Sequence, residues 1–146
     1  MSQYGGIATR AVALAVDMAL AHVIVFVLGA IVALVGSLVG DAKLDTPEQI
    51  LAGLAWVLVV GSYFILFWST AGQTPGMRAM GLRIVDADGG HPGVVRSAVR
   101  LAGLVLAIIP LGAGFLPVLV DDRRRALQDF LAKTVVVYEV ASVPAA

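Results

Sequence analysis

The sequence predicts an all-α integral membrane protein. It should have two transmembrane helices, a third hydrophobic segment broken by proline and glycine, a short cytoplasmic β-hairpin-like loop and a C-terminal amphipathic helix. Three observations carry this prediction. The 146 residues are 60 % hydrophobic and only 14 % charged, with a mean hydropathy of +0.95, whereas soluble domains are about 45–50 % apolar and about 25 % charged. The charges avoid three windows: residues 11–36 hold only Asp17, and residues 50–72 and 101–120 hold none. Each window is long enough, because a helix crosses a hydrocarbon core of about 30 Å with about 20 apolar residues.

Composition also excludes several classes. Ten Lys+Arg balance ten Asp+Glu, so bulk charge for nucleic acid is missing. With no cysteine, thiol chemistry, iron–sulfur clusters and thiolate zinc sites are out. The sequence offers no nucleophile motif, metal-ligand cluster or cofactor box, so neither a metal nor a cofactor is expected, and an enzyme is the weakest reading. The length suits one domain over residues 1–140. Residues 141–146 read as a frayed tail.

The first membrane segment covers residues 11–36. It is too long for a signal h-region of about 7–15 residues, and it carries Asp17. Arg10 and Asp17 are seven residues apart, hence about 20° apart around a helix and about 10 Å apart along it. Ala13, Ala21 and Ile24 lie near the same stripe. Small residues let another helix approach, so this face should point into protein. An acid at membrane depth costs about 2.5–3.5 kcal/mol on insertion scales and is paired, protonated or functional. His22 is about 140° from Asp17 around the helix and reads as a packed or interfacial histidine.

The second segment covers residues 50–69. Gly72-Gln73-Thr74-Pro75-Gly76 follows it. This resembles a phosphate loop only superficially: it lacks the Gly-Lys-Ser/Thr ending and follows a membrane helix. It reads as a rigid turn ending the helix.

Orientation comes from Lys and Arg. Residues 41–48 hold Lys43 against Asp41, Asp45 and Glu48, while residues 69–100 hold Arg78, Arg83, Arg96 and Arg100. The positive-inside rule places the arginine-rich loop and the N-terminus with Arg10 in the cytoplasm, and the acidic linker outside. Within that loop, Leu82-Arg83-Ile84-Val85-Asp86 reads as extended, Asp88-Gly89-Gly90 as a turn and Val94-Val95 as a candidate returning strand, so a small β-hairpin or an extended flap on the membrane face is expected. Asp86-Ala87-Asp88-Gly89 is only a fragment of a calcium loop, without the closing Glu.

The third segment covers residues 101–120 and contains Pro110-Leu111-Gly112-Ala113-Gly114 and Pro117. Proline removes a helix hydrogen bond and clashes with the preceding turn. A full crossing would put Arg123, Arg124, Arg125 and Lys133 outside, against the charge rule. A break at mid-depth lets the chain turn back, and non-helical backbone is tolerated there when protein buries it. Length favours crossing; charge favours re-entry. Beyond it, Asp121 or Asp122 is a candidate cap for a short helix with Leu127, Phe130 and Leu131 on one face. Its arginines would lie near lipid phosphates. Residues 134–138 read as extended.

These residues also match a family pattern. Arg10-Ala11, then Val16-Asp17; Gly72-Gln73-Thr74-Pro75-Gly76-Met77-Arg78; Gly81-Leu82-Arg83-Ile84-Val85-Asp86 with Gly89; Arg100; and Leu127-Gln128-Asp129-Phe130-Leu131-Ala132-Lys133 follow one another in order. In this the chain resembles the RDD family of small bacterial membrane proteins, named for an arginine and two aspartates that correspond here to Arg10, Asp17 and Asp129. Two positions depart from the common pattern: Met77 where Lys is frequent, and Gln128 where His is frequent. The resemblance implies a multi-pass protein of the bacterial inner membrane and an involvement in transport, with cation/proton antiport proposed for some members.

If the third segment re-enters, Asp129 reaches Arg10, and Arg10, Asp17, Arg100 and Asp129 form one charged cluster. That cluster is either a buried salt-bridge lock or a proton or cation site. The expected function is a non-enzymatic accessory or scaffold subunit of a larger membrane complex. Its partners would be the lipid bilayer and other membrane subunits or further copies of itself, met through small-residue faces (Ala11, Ala15, Ala19; Gly29, Gly36). The alternative is a small oligomeric cation/proton antiporter using Asp17. Three short segments without an internal repeat would require an oligomer or a partner for that.

Overall fold

The computed structural model describes residues 4–39, 46–110 and 112–139. Residues 41–45 of the expected external linker, Leu111 and the expected frayed tail lie outside the described residues. The chain runs α1 (Ile7–Val39), α2 (Thr46–Thr70), α3 (Pro75–Ala79), β1 (Leu82–Val85), α4 (Val94–Ile108), a 3-10 turn (Ala113–Phe115), α5 (Pro117–Val120), α6 (Leu127–Ala132) and β2 (Val135–Tyr138).

Two helices, α1 with 33 residues and α2 with 25, are long and apolar enough to cross a membrane. At 1.5 Å per residue they span about 50 Å and about 37 Å, against a hydrocarbon core of about 30 Å. Their burial is lopsided. The core cluster draws Ala13 and Ala21 from α1 and Val60, Phe64 and Trp68 from α2. Beyond Ala21 in α1, and before Val60 in α2, no described side chain is buried. Phe26, Val32, Leu38 and Leu58 are all at least 70 % exposed. Such helices are stable in a solvent as apolar as their side chains, which is lipid.

The two strands form one antiparallel pair, with Leu82 opposite Tyr138 and Val85 opposite Val135. This corrects the expected hairpin. The turn exists, with Gly89 N–H donating to the Asp86 carbonyl, but Val94-Val95 does not return as a strand. Those residues open α4, and β1 pairs with the C-terminal strand instead. The reason is burial. Leu82, Ile84 and Val136 point to one side and are at most 1 % exposed, whereas Val94 and Val95 are 62 % and 76 % exposed. An isolated two-stranded hairpin is marginal in water without such a face. The N-terminal arm adds to the far edge of β2: Tyr4 bridges Val137, and Gly5 N–H donates to the Val136 carbonyl at 2.9 Å.

The third hydrophobic segment begins earlier than expected and is not one helix. α4 starts at Val94 and includes Arg96 and Arg100. Its buried residues, Ser97, Arg100, Gly103, Leu104 and Ala107, recur every three or four positions and form a single inward stripe. At Pro110 the helix has ended. Gly112 adopts φ +83°, a conformation glycine accepts without strain. The 3-10 turn then lies back on α4: a Cβ on Gly114 would sit 2.5 Å from the Ala107 Cα. The fold-back carries α6 alongside α4.

The short helix α6 is capped differently from the expectation. Its N-cap is Ala126, not Asp121 or Asp122. Asp129, three residues in, reaches back to accept from Ala126 N–H at 2.9 Å. Asp121 instead closes its own turn with Arg125. Within it Gln128, Asp129 and Ala132 are buried, while Phe130 and Leu131 are exposed.

Candidate functional site

The acids and arginines singled out from sequence lie at the core end of the two long helices. They form two constellations rather than the single expected cluster. In the first, the Asp129 carboxylate is completely buried. Its Oδ2 accepts from Arg10 Nη1 and from Ala126 N–H, and its Oδ1 accepts from Arg100 Nη1. Arg10 also donates from Nε to the Gly5 carbonyl at 3.0 Å and from Nη2 to the Arg124 carbonyl at 2.6 Å. Arg100 also donates to Thr134 Oγ1 at 2.8 Å, and its guanidinium lies 5.2 Å from the Trp68 ring centroid, a cation–π distance. Burial pushes the Asp129 carboxyl up; Arg100, Arg10 and the Ala126 N–H outweigh it and hold it below the usual carboxylate range.

In the second constellation, Asp17 is 1 % exposed on α1, in line with Ala13 and Ala21. No arginine reaches it. Its Oδ1 accepts from Tyr63 Oη at 3.0 Å and from Gly76 N–H at 2.8 Å, and its Oδ2 accepts from Thr74 Oγ1. Arg10 lies two turns away on the same face, yet its guanidinium extends toward the N-terminal arm and α6. Height along the helix decides this: azimuth puts both residues on one face, and about 10 Å of separation gives each its own partners.

The loop motif supplies those partners. Gly72, at φ +69°, turns the chain off α2, and its carbonyl accepts from Ile84 N–H at 2.7 Å. Thr74 is the N-cap of α3 and Pro75 its first residue, the position where proline costs nothing. Gly76 is set by close approach: a Cβ there would lie 2.3 Å from the Ala13 carbonyl oxygen and 2.8 Å from Asp17 Cγ. The turn that ends the second helix thus also seats α3 on α1. Asp86 accepts from the Asp88 and Gly90 N–H groups at 3.0 and 3.1 Å and pairs with Arg96 at 2.9 Å, the arrangement of a side-chain-closed turn.

Sequence reasoning missed Tyr63, Trp68 and Thr134. Tyr63 carried a signal: a phenol inside a charge-free window needs a partner, and Asp17 was the acid at that depth. His22 lies away from both constellations, with Nδ1 2.7 Å from the Met18 carbonyl and its ring 5.6 Å from Trp56, edge to face.

A family model described as the RDD family matches residues 4–133. The chain belongs to the RDD family. Both constellations except Thr134, and every element from the N-terminal arm to α6, fall inside the matched range. RDD proteins are typically membrane-associated, which agrees with two apolar helices whose side chains are exposed over most of their length. No curated protein and no solved structure matches the chain. In RDD terms, the arginine and the second aspartate are ion-paired here, and the first aspartate holds the loop motif.

Proposed function

We propose that this RDD protein is a non-enzymatic accessory or scaffold subunit of a larger membrane complex. It is inserted in the bacterial inner membrane with its N-terminus and arginine-rich loop in the cytoplasm. One observation carries the reading. Both buried carboxylates are engaged by three donors each, and every donor belongs to the protein's own fold. Groups held in this way join elements: Asp129 ties α1, α4 and α6, and Asp17 ties α1, α2 and α3. The outer halves of α1 and α2 remain apolar and open, which suits lipid and helix partners.

The fold-back after α4 supports the re-entrant form of the third segment. Arg100 begins that excursion and Asp129 follows it, and the two are in contact. On this reading the charged residues on either side of it belong to one face, as the positive-inside rule requires. A reporter fused after residue 140 should be cytoplasmic; an external reporter would overturn the topology.

A gentle-detergent purification followed by mass spectrometry tests the role. A stoichiometric membrane partner, retained in Asp17→Asn protein, is the expected result. A second reading, a small oligomeric cation/proton antiporter, is favoured by Asp17 being buried while lining a cavity. It predicts cation-dependent proton movement in vesicles holding the purified protein, lost in Asp17→Asn. Wild-type protein that moves no proton in any cation gradient would sink the solitary antiporter.

A further inference from the structure

The chain leaves the third hydrophobic segment through a basic corner, residues 121–133, and only part of its charge is used within the fold. Asp129 is taken by Arg10 and Arg100, and Asp121 pairs with Arg125 at 2.9 Å. Arg123, Arg124 and Lys133 are exposed and join no ion pair among the described residues. Asp122 is the one acid of the corner left to face these three cations. The backbone beneath them is fixed from within. Asp121 Oδ2 accepts from the Arg123 and Arg125 N–H groups at 3.2 and 3.0 Å, and the Arg124 carbonyl accepts from Arg10 Nη2 at 2.6 Å. Arg123 and Lys133 border one surface hollow beside Phe130. Arg125 and Asp86 border it too, but Arg125 is held by Asp121 and Asp86 by Arg96.

The neighbours of these cations set their depth. Val120 is 86 % exposed, and Phe130 and Leu131 are 42 % and 48 % exposed. Arg123 is three residues past Val120, and Lys133 is two past Leu131. At most about 11 Å and about 7 Å of chain therefore separate each cation from an apolar side chain that hydrocarbon would cover. The headgroup layer adds about 5–8 Å to each side of the hydrocarbon core, and long basic side chains lay their stems on apolar surface while their charges stay in the polar zone. Both charges can thus sit at the level of lipid phosphates. An acidic protein segment would answer the charges but not the apolar residues on either side of them. A lipid answers both, with a phosphate above and acyl chains below.

We propose that the hollow binds the headgroup of an anionic phospholipid, with Arg123 and Lys133 as the phosphate ligands and Phe130 against the acyl chains. The site rests on the membrane insertion proposed above and not on the scaffold role. Its cations are presented by a turn that Arg10 holds, so the backbone is ordered before the lipid arrives and little ordering is left for binding to supply.

A ligand that binds only the folded chain raises its melting temperature. The full chain is placed in lipid nanodiscs of phosphatidylcholine, with and without added phosphatidylglycerol. Wild type should melt several degrees higher with phosphatidylglycerol. Arg123→Gln/Lys133→Gln should lose most of that gain and keep the melting temperature in pure phosphatidylcholine. Arg78→Gln/Arg83→Gln removes the same charge from the loop before α4 and should keep the gain. Should the first double variant fail to fold, Arg123→Gln and Lys133→Gln singly decide, each losing part of the gain. No gain in wild type, a gain that the Arg123 and Lys133 variants retain, or an equal loss in the Arg78/Arg83 control would overturn the site. Inorganic phosphate at constant ionic strength should leave the phosphatidylcholine melting temperature unchanged; a matching rise would make the hollow a free-anion site. A membrane subunit lost from Arg123→Gln/Lys133→Gln, with no lipid dependence in wild type, would assign it to a protein partner. Nanodiscs carry the lipid on both faces, so these results are independent of topology, which the reporter after residue 140 reads separately.

Discussion

Arg10 and Asp129 are 119 residues apart in the chain and form an ion pair. Their side chains are 9 % and 0 % exposed. The pair holds the first turn of the first long helix to the last short helix, and Arg100 completes it from α4. One carboxylate thus opposes two guanidiniums, an asymmetry that makes the three residues unequal to mutation.

Replacing Asp129 with Asn should be the most damaging change of the three. It leaves two buried cations facing each other without a counter-charge. Breaking a buried pair by removing one partner costs about 3–5 kcal/mol, and Asp129→Asn should reach the upper part of that range. Arg10→Gln leaves a one-to-one Arg100–Asp129 pair and should cost less. Melting temperatures in detergent rank the two; the reverse order would contradict the geometry.

Asp17 and Thr74 should prove coupled. Asp17→Asn keeps one acceptor oxygen and the side-chain volume, and Thr74→Val keeps the shape without the hydroxyl. Each leaves hydrogen-bonding groups underused, at about 1–3 kcal/mol. Because both single changes break the same bond, the double variant should cost less than their sum, with a coupling of about 0.5–3 kcal/mol. Strict additivity would mean that the bond contributes nothing.

Two glycines should respond in opposite directions. Gly76→Ala places a methyl 2.3 Å from the Ala13 backbone oxygen, which cannot swing aside, so overpacking should cost about 1–3 kcal/mol or more. Gly53 lies in α2 with nothing within 4 Å of an added Cβ. Gly53→Ala should be neutral or stabilise by up to about 1 kcal/mol through helix propensity. Thermal unfolding of the two variants side by side distinguishes close approach from a general intolerance of substitution.

Acid should loosen the fold through Asp129. Its folded pKa lies below the ordinary carboxylate value, which is about 3.9 in unfolded chains. A depressed acid contributes stability that is present above the unfolded value and is lost as pH falls through the folded one. Its contribution should therefore be constant above about pH 5 and decline below about pH 4. Asp121 is drawn down to about 2 by its hydrogen bonds from Arg125 and adds a smaller, salt-screened part in the same direction. Melting curves from pH 3 to pH 7 should show this acid limb in wild type, and Asp129→Asn should flatten it.

Much of this protein is written in local pattern. The charge-free windows marked α1 and α2, because a bilayer demands length and hydropathy and little else. Pro110 and the glycines after it marked the break in the third segment, because proline ends a helix wherever it lies. Residues 82–86 read as extended because β-branched alternation is a property of the strand itself. Pairing is not local in this sense. Val94-Val95 and Val135-Val136 look equally strand-like, and only the burial of Val136 against Leu82 and Ile84 chose between them.

The site divides in the same way. The sequence alone determined that Arg10 and Asp17 share a helix face and that Asp17 must face protein, since helical periodicity and the cost of a charge in lipid require both. The tertiary structure decided that they do not share a partner. The fold-back of the third segment delivers Asp129 to Arg10, and the turn after α2 delivers Thr74 and Gly76 to Asp17. Partners brought together across 119 and 57 residues depend on where whole elements come to rest, and no periodicity within one helix encodes that.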